Sequence, residues 1–199
     1  MGTVFTEYER NKNFACGSTA QVAFCCDSFD DSGCETDLFG ERIMEQAIID
    51  EYLRQASLFP AAIKSLTAAE LNAHPIPHTW SIRQIVLHVM DSDLIASDRM
   101  KRVIAEDNPA LIGFDESAFA SNLFYDHLDA AMATEIFAKN RLLTGEILNR
   151  LPASAYLRAG THNQRGRVTL EELVKLYVQH FDHHMKFLKH KRQLLGRPL

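Results

Sequence analysis

Two four-residue runs, Ser81-Ile82-Arg83-Gln84 and Thr169-Leu170-Glu171-Glu172, constrain this chain more than any other feature, because each is a capping box that fixes where a helix begins. The Ser or Thr side chain can accept from the amide three residues on, and the Gln or Glu there can reach back to the amide of the cap. From Ser81 the pattern predicts a helix to about Glu106, ended by Asp107-Asn108-Pro109. From Thr169 it predicts a helix to about Leu195, before Gly196 and Pro198. Two other stretches repeat apolar residues at three- and four-residue steps. The first runs from Glu41 to about Leu66 through Ile43, Ala47, Ile48, Tyr52, Ala56, Phe59 and Ile63, with a kink or break predicted at Pro60. The second spans Asp126 to Leu151, with Leu128, Met132, Ile136, Leu143, Ile147 and Leu148 on its apolar side and Pro152 beyond its end.

Between these helices the chain turns polar and rich in Pro and Gly. Asn72 to Thr79 holds Pro75 and Pro77 and reads as a loop. The connection after Pro109 contains Gly113 and a short helical turn around Glu116 to Asn122, and a segment of that length is placed to cover a site. Ala153 to Arg167, with Gly160 and Gly166, forms another loop. No strand signal competes. The expectation is therefore an all-α fold, a four-helix bundle with long cross-connections, each helix roughly 37 Å long.

Charge divides the chain in two. The 199 residues carry a formal net charge of −5. Residues 1–40 account for all of it, with seven acids against Arg10 and Lys12, and they also hold the four cysteines Cys16, Cys25, Cys26 and Cys34. Their spacing is neither paired C-x-x-C clips nor a zinc finger, so residues 1–40 read as a weakly ordered acidic extension with free thiols, and residues 41–199 as one bundle domain. A neutral body gives no extended positive field, which argues against nucleic acid as a partner. No stretch reaches the roughly 18 apolar residues of a membrane helix. A soluble cytoplasmic protein follows from these readings.

The chemistry concentrates in His180-Phe181-Asp182-His183-His184 on the last helix. His180 and His184 stand one turn apart on the stripe that also holds Leu173, Tyr177, Phe187 and Leu188, so both imidazoles should face the bundle interior and can reach one metal ion. A third ligand should come from an opposed helix, and His88, inside Ile85-Val86-Leu87-His88-Val89-Met90, is the histidine deepest in an apolar stretch. Asp91, one turn on, and His183, rotated off the stripe, are candidates to orient a ligand or relay a proton, Asp91 also for a fourth ligand. His74, His78, His127, His162 and His190 fall in loops or near helix ends and read as solvated. Core histidines can equally bond a Tyr or a carbonyl, so the competing reading is a non-catalytic bundle in which they serve structure or metal-dependent dimerisation. The absence of H-E-x-x-H, G-x-S-x-G and phosphate-cradling glycines excludes several enzyme classes, and the lack of Glu-x-x-His motifs excludes a di-iron bundle.

Several ordered motifs then point to a family. Phe59-Pro60, Leu66-Thr67, Glu70-Leu71, Trp80-Ser81-Ile82-Arg83-Gln84 leading to His88 and Asp91-Ser92, Glu106-Asp107-Asn108-Pro109 with Phe114-Asp115-Glu116, and Thr169 to Glu172 followed by Tyr177 through His184 together resemble the DinB superfamily, in particular its YfiT-like branch. The resemblance covers about residues 41–195. It implies a dimeric four-helix bundle that binds one divalent metal, nickel or zinc, through His88, His180 and His184, and acts as a hydrolase or as a transferase of small cellular thiols. Two positions depart from the pattern: Thr79 and Phe181 stand where the family often has Gly, and Phe181 brings bulk beside the ligand pair.

Overall fold

The computed structural model describes residues 34–199, with side chains from Gln46 onward. Cys16, Cys25, Cys26 and the greater part of the acidic segment thus lie outside the described residues, and Cys34 opens the first helix. The elements are α1 (Cys34–Ile63), α2 (Ala68–Asn72), α3 (Ile82–Ala105), β1 (Ala110–Leu111), α4 (Glu116–Asn122), α5 (Ala130–Leu148), β2 (Ala159–His162), β3 (Gly166–Thr169) and α6 (Leu170–Leu194). Helices α1, α3, α5 and α6 form the four-helix bundle.

Both capping boxes close as the sequence predicts. Ser81 Oγ accepts from the Gln84 amide at 3.1 Å while Gln84 Oε1 accepts from the Ser81 amide at 2.8 Å. At α6, Thr169 Oγ1 accepts from the Glu172 amide at 3.2 Å and Glu172 Oε2 accepts from the Thr169 amide at 2.8 Å. Helix α1 starts at Cys34, ahead of the expected Glu41, and continues through Pro60 to Ile63.

Three expectations need correction. Strands do form: β1 pairs in parallel with β2, and β2 pairs antiparallel with β3, in the order β1-β2-β3. At two to four residues each they are too short to show an alternating pattern, and tertiary position sets them. They tie the segment after α3 to the hairpin that feeds α6.

The second correction concerns α5, whose apolar side faces outward. Leu128 precedes the helix, and Met132, Ile136 and Leu143 are exposed, whereas Ala130, Ala133, Thr134, Phe137, Arg141, Thr144, Gly145 and Leu148 form the buried face. That face consists largely of small or polar residues because α1 lies close against it. A Cβ at Gly145 would come within 2.3 Å of Leu53 Cδ2. The third correction is His162, which is buried at the end of β2 and whose Nδ1 accepts from the Gln164 amide at 3.1 Å. Of the other four histidines read as solvated, all are exposed.

Two apolar clusters fill the bundle. One gathers Phe59, Val86, Phe137 and Phe181, the other Tyr52, Met100, Leu148 and Leu173. Arg141 lies between them, with its guanidinium 4.3 Å from the Tyr52 ring centre and 4.5 Å from that of Phe137. No helix among the described residues is long and apolar enough to cross a membrane.

Candidate metal centre

Helix α3 runs through the bundle with apolar or small residues on most sides of its first half, and this places His88 in full burial. Helix α6 supplies His180 and His184 from the stripe that includes Leu173, Tyr177 and Leu188, all buried. The three rings meet: His180 Nε2 is 3.2 Å from His88 Nε2 and 3.1 Å from His184 Nε2. All three offer a nitrogen within 4.8 Å of the others, and they form the one such cluster of metal-ligating side chains among the described residues.

These separations suit a cation. Imidazole nitrogens about 2.0–2.1 Å from a tetrahedral metal stand roughly 3.3 Å apart, close to what is seen. Burial, and after it the neighbouring imidazoles, hold all three rings well below the ordinary histidine pKa, so each is neutral and keeps a lone pair for a ligand. Three neutral rings facing one another satisfy each other poorly, since each pair needs one donor and one acceptor. His88 Nδ1 is buried with no hydrogen-bond partner among the described residues. A shared cation between the Nε2 atoms resolves the first of these conflicts.

The walls are aromatic and, at one point, acidic. The Trp80 ring lies 4.8 Å from that of His88, and Phe114 lies 6.4 Å from it on the other connection. Phe114 in turn packs on Phe119 of α4 at 4.8 Å. Asp115 caps α4 and Glu116 begins it, which brings Glu116 Oε2 to 4.0 Å from His88 Nε2. Burial, with the adjacent Asp115 charge, raises the Glu116 pKa. The connection expected to cover a site therefore does so, and with a carboxylate that periodicity could not reveal. Its signal in the sequence was the Phe114-Asp115-Glu116 run inside a long connection.

The remaining candidates separate. Asp91 accepts a hydrogen bond from the Tyr125 hydroxyl and is not among the converging ligand atoms. His183 is exposed, with its ring 5.4 Å from His184 and 4.9 Å from Phe187. Phe181 directs its bulk away from the ligands into the aromatic core, 5.4 Å from Phe59 and 5.2 Å from Phe137. Beneath His180, the Tyr177 hydroxyl accepts from Arg99 Nη1 at 2.5 Å, and Arg99 also bonds the Ile112 carbonyl.

A model of the DinB superfamily matches residues 51–188. The chain belongs to the DinB superfamily. A relative in Halalkalibacterium halodurans named "Putative metal-dependent hydrolase" is 25% identical over 158 residues, covering 77% of this chain and 90% of its own. A relative in Bacillus licheniformis with the same description is 30% identical over 165 residues, covering 78% and 89%. YfiT from Bacillus subtilis, whose structure is described as a four-helix bundle of unusual topology, aligns with a TM-score of 0.72 at 20% identity over 87% of this chain and 94% of that one. The DinB fold thus holds throughout the bundle and includes both helices that carry the trio.

The depressed histidine pKa values make the stability of this DinB protein depend on pH. In the unfolded chain each imidazole titrates near 6.5, so below that pH the unfolded state takes up protons that the folded, metal-free state refuses. Stability then falls on acidification, by up to about 1.4 kcal/mol per pH unit for each ring kept neutral. The raised carboxyls of Glu116 and Asp93 act in the opposite sense. Urea unfolding of metal-free protein at pH 7.5 and 5.5 should show a smaller loss for His184→Gln than for the wild type. Equal losses would show that the buried imidazoles are not the cause.

Proposed function

We propose that this protein is a mononuclear divalent-metal enzyme acting on a small molecule, either as a hydrolase or as a thiol-S-transferase. The observation that carries this reading is the convergence of three neutral imidazole nitrogens at 3.1–3.2 Å steps beneath a lid-borne carboxylate. His88, His180 and His184 would hold the ion, and an imidazole set suits nickel or zinc. Once bound, such an ion would lower the pKa of a water or thiol brought to the site.

The other tasks fall to the chain. Glu116 stands where it can accept that proton at Oε2, and its raised pKa makes it the stronger base. Trp80 and Phe114 exclude water from the His88 side, which strengthens electrostatic effects within the site. The α3 and α6 backbones hold the rings in place, so little reorganisation accompanies reaction. Cytoplasmic location and a homodimer belong to the same proposal, and a single-chain mass by light scattering would remove the dimer.

The test is a parallel screen of metal-loaded protein with small thiols plus a generic electrophile, and with hydrolysable esters and amides. Turnover in the thiol arm assigns a transferase and in the other arm a hydrolase. Stoichiometric metal without turnover in either favours the structural role. Glu116→Gln should retain its metal and lose roughly 100-fold or more in turnover; an unchanged rate would remove Glu116 from the mechanism.

A further inference from the structure

Between α3 and the β1 segment lies a hollow of about 330 Å³, a size that suits a small organic molecule. Ile95, Arg99 and Arg102 form one wall, and Ala110, Leu111 and Ile112 the other. Arg99 stands apart because it is a buried cation with which no carboxylate among the described residues pairs. Its Nη1 donates to the Tyr177 hydroxyl and its Nη2 to the Ile112 carbonyl, both neutral acceptors. Its Nε is the one buried cationic nitrogen among the described residues that has no hydrogen-bond partner. The other buried cations are answered: Arg141 pairs with Asp93, Arg192 donates from Nε and Nη1 to the carbonyls of Arg197 and Ala62, and Lys191 Nζ donates to Thr79 Oγ1. A charge taken out of water without a counter-charge, and with a donor unmade, is costly, and an incoming anion relieves both costs.

The surrounding charges restrict which anion fits. Asp98 also borders the hollow, but Arg102 holds it at 2.9 Å and reaches Glu106 at 3.3 Å, so these exposed groups answer one another. What remains is the single charge of Arg99 between largely aliphatic walls. A monocarboxylate with a short apolar body matches that set, whereas a dianionic phosphate would meet the Asp98 charge. The hollow and the metal centre also share their two walls. His88, Ile95, Arg99 and Arg102 follow at steps of seven, four and three along one side of α3, and Ile95 is two turns, roughly 10 Å, from His88. On the opposite wall Ile112 lines the hollow, and Phe114, two residues further on, faces the His88 ring. Tyr177, which Arg99 touches, has its ring 6.0 Å from that of His180.

We propose that Arg99 and this hollow bind the carboxylate of the small molecule that reacts at the three-histidine centre. The planar guanidinium matches a carboxylate through its free N–H groups, Ile95 and Leu111 cover the aliphatic body, and the chain of the ligand runs along α3 toward His88. The destination of the ligand rests on the enzymatic reading above; the binding of a carboxylate at Arg99 does not.

The experiment titrates isotope-labelled full-length protein with butyrate, neutral butyramide and inorganic phosphate at constant ionic strength, following backbone amides and the Arg99 Nε–H signal. Butyrate is expected to give saturable shifts at Arg99 Nε–H and in residues 95–102 and 110–113. Binding should be roughly tenfold weaker for butyramide and for Arg99→Met, with Arg99→Lys in between. Equal binding of butyrate and butyramide, or undiminished affinity in Arg99→Met, overturns the subsite, and tighter binding of phosphate at the same signals overturns its assignment to a carboxylate. Ile95→Trp fills the hollow and leaves Arg99 in place, so it decides the matter even where Arg99→Met fails to fold: butyrate affinity should be lost, and retained affinity overturns the subsite. Butyrate binding with no metal uptake would remove the enzymatic reading and leave the subsite, and metal uptake with no butyrate binding would do the reverse. In cobalt-loaded protein, paramagnetic broadening should be stronger at the butyrate methyl than at the methylene next to the carboxylate; the reverse order, or none, overturns the link to the centre.

Discussion

Replacing His180 with alanine should reduce bound divalent metal from stoichiometric to near zero, while His190→Ala leaves it unchanged. His180 is the middle member of the trio, within 3.2 Å of His88 and 3.1 Å of His184 at the Nε2 atoms. Without it two imidazoles remain, His88 and His184, from different helices with their ring centres 4.7 Å apart, a smaller ligand set for the ion. Zinc sites with four ligands bind with about 10–16 kcal/mol, so one ligand contributes roughly 3 kcal/mol and its loss weakens binding more than 100-fold. Elemental analysis after dialysis against a weak chelator checks this, with circular dichroism confirming the fold. Equal, stoichiometric metal in wild type and variant would sink the ligand assignment.

The second large effect is on stability. Arg141→Ala should destabilise the protein by about 3–5 kcal/mol, a large part of the roughly 5–15 kcal/mol available to a domain. Arg141 is 1% exposed and its Nε donates to Asp93 Oδ1 at 2.8 Å, with Asp93 itself 2% exposed. It also bonds Gln55 Oε1 and the Tyr177 carbonyl, the latter at 2.9 Å. Truncation therefore leaves a buried carboxylate with Asn140, 2.8 Å away, as its remaining side-chain partner among the described residues. Removing both charges in Arg141→Met/Asp93→Leu should recover much of the loss, because the pair's mutual attraction mainly offsets its own desolvation. Chemical denaturation of the single and double variants provides the cycle. A single-variant loss under 1 kcal/mol would show that the network does not hold the bundle together.

How much of this the sequence made legible depends on the physics of each residue. His180 and His184 were readable because a four-residue step on an apolar stripe has one geometric meaning. His88 was readable because its neighbours on both sides are apolar. The caps at Ser81 and Thr169 were readable because their bonds are local. Arg141 and Glu116 were not. An arginine on an inward helix face looks like a solvated residue until Asp93 and Gln55 arrive from other helices. Glu116 becomes part of the site only because α4 folds back over α3. The outward face of α5 is hidden from the sequence for a related reason: counting large apolar side chains cannot detect that Ala133 and Gly145 make the closer packing surface against α1. The burial of His162 depends on a pairing with Gly166 that no four-residue strand announces.

The trio joins positions 92 residues apart in the chain, His88 and His180, yet the helices that carry them are already packed together by the aromatic core. The entropy of closing so long a loop is therefore met by folding and not by the incoming ion. In this respect the centre is the opposite of a zinc finger, which has no shape until its metal arrives. Metal-free protein should be a stable, folded species that loads and unloads without refolding, at rates set by access past Phe114 and Glu116. Its occupancy in a cell would then follow the free metal concentration at the moment, making the protein responsive to supply throughout its lifetime and not only at synthesis.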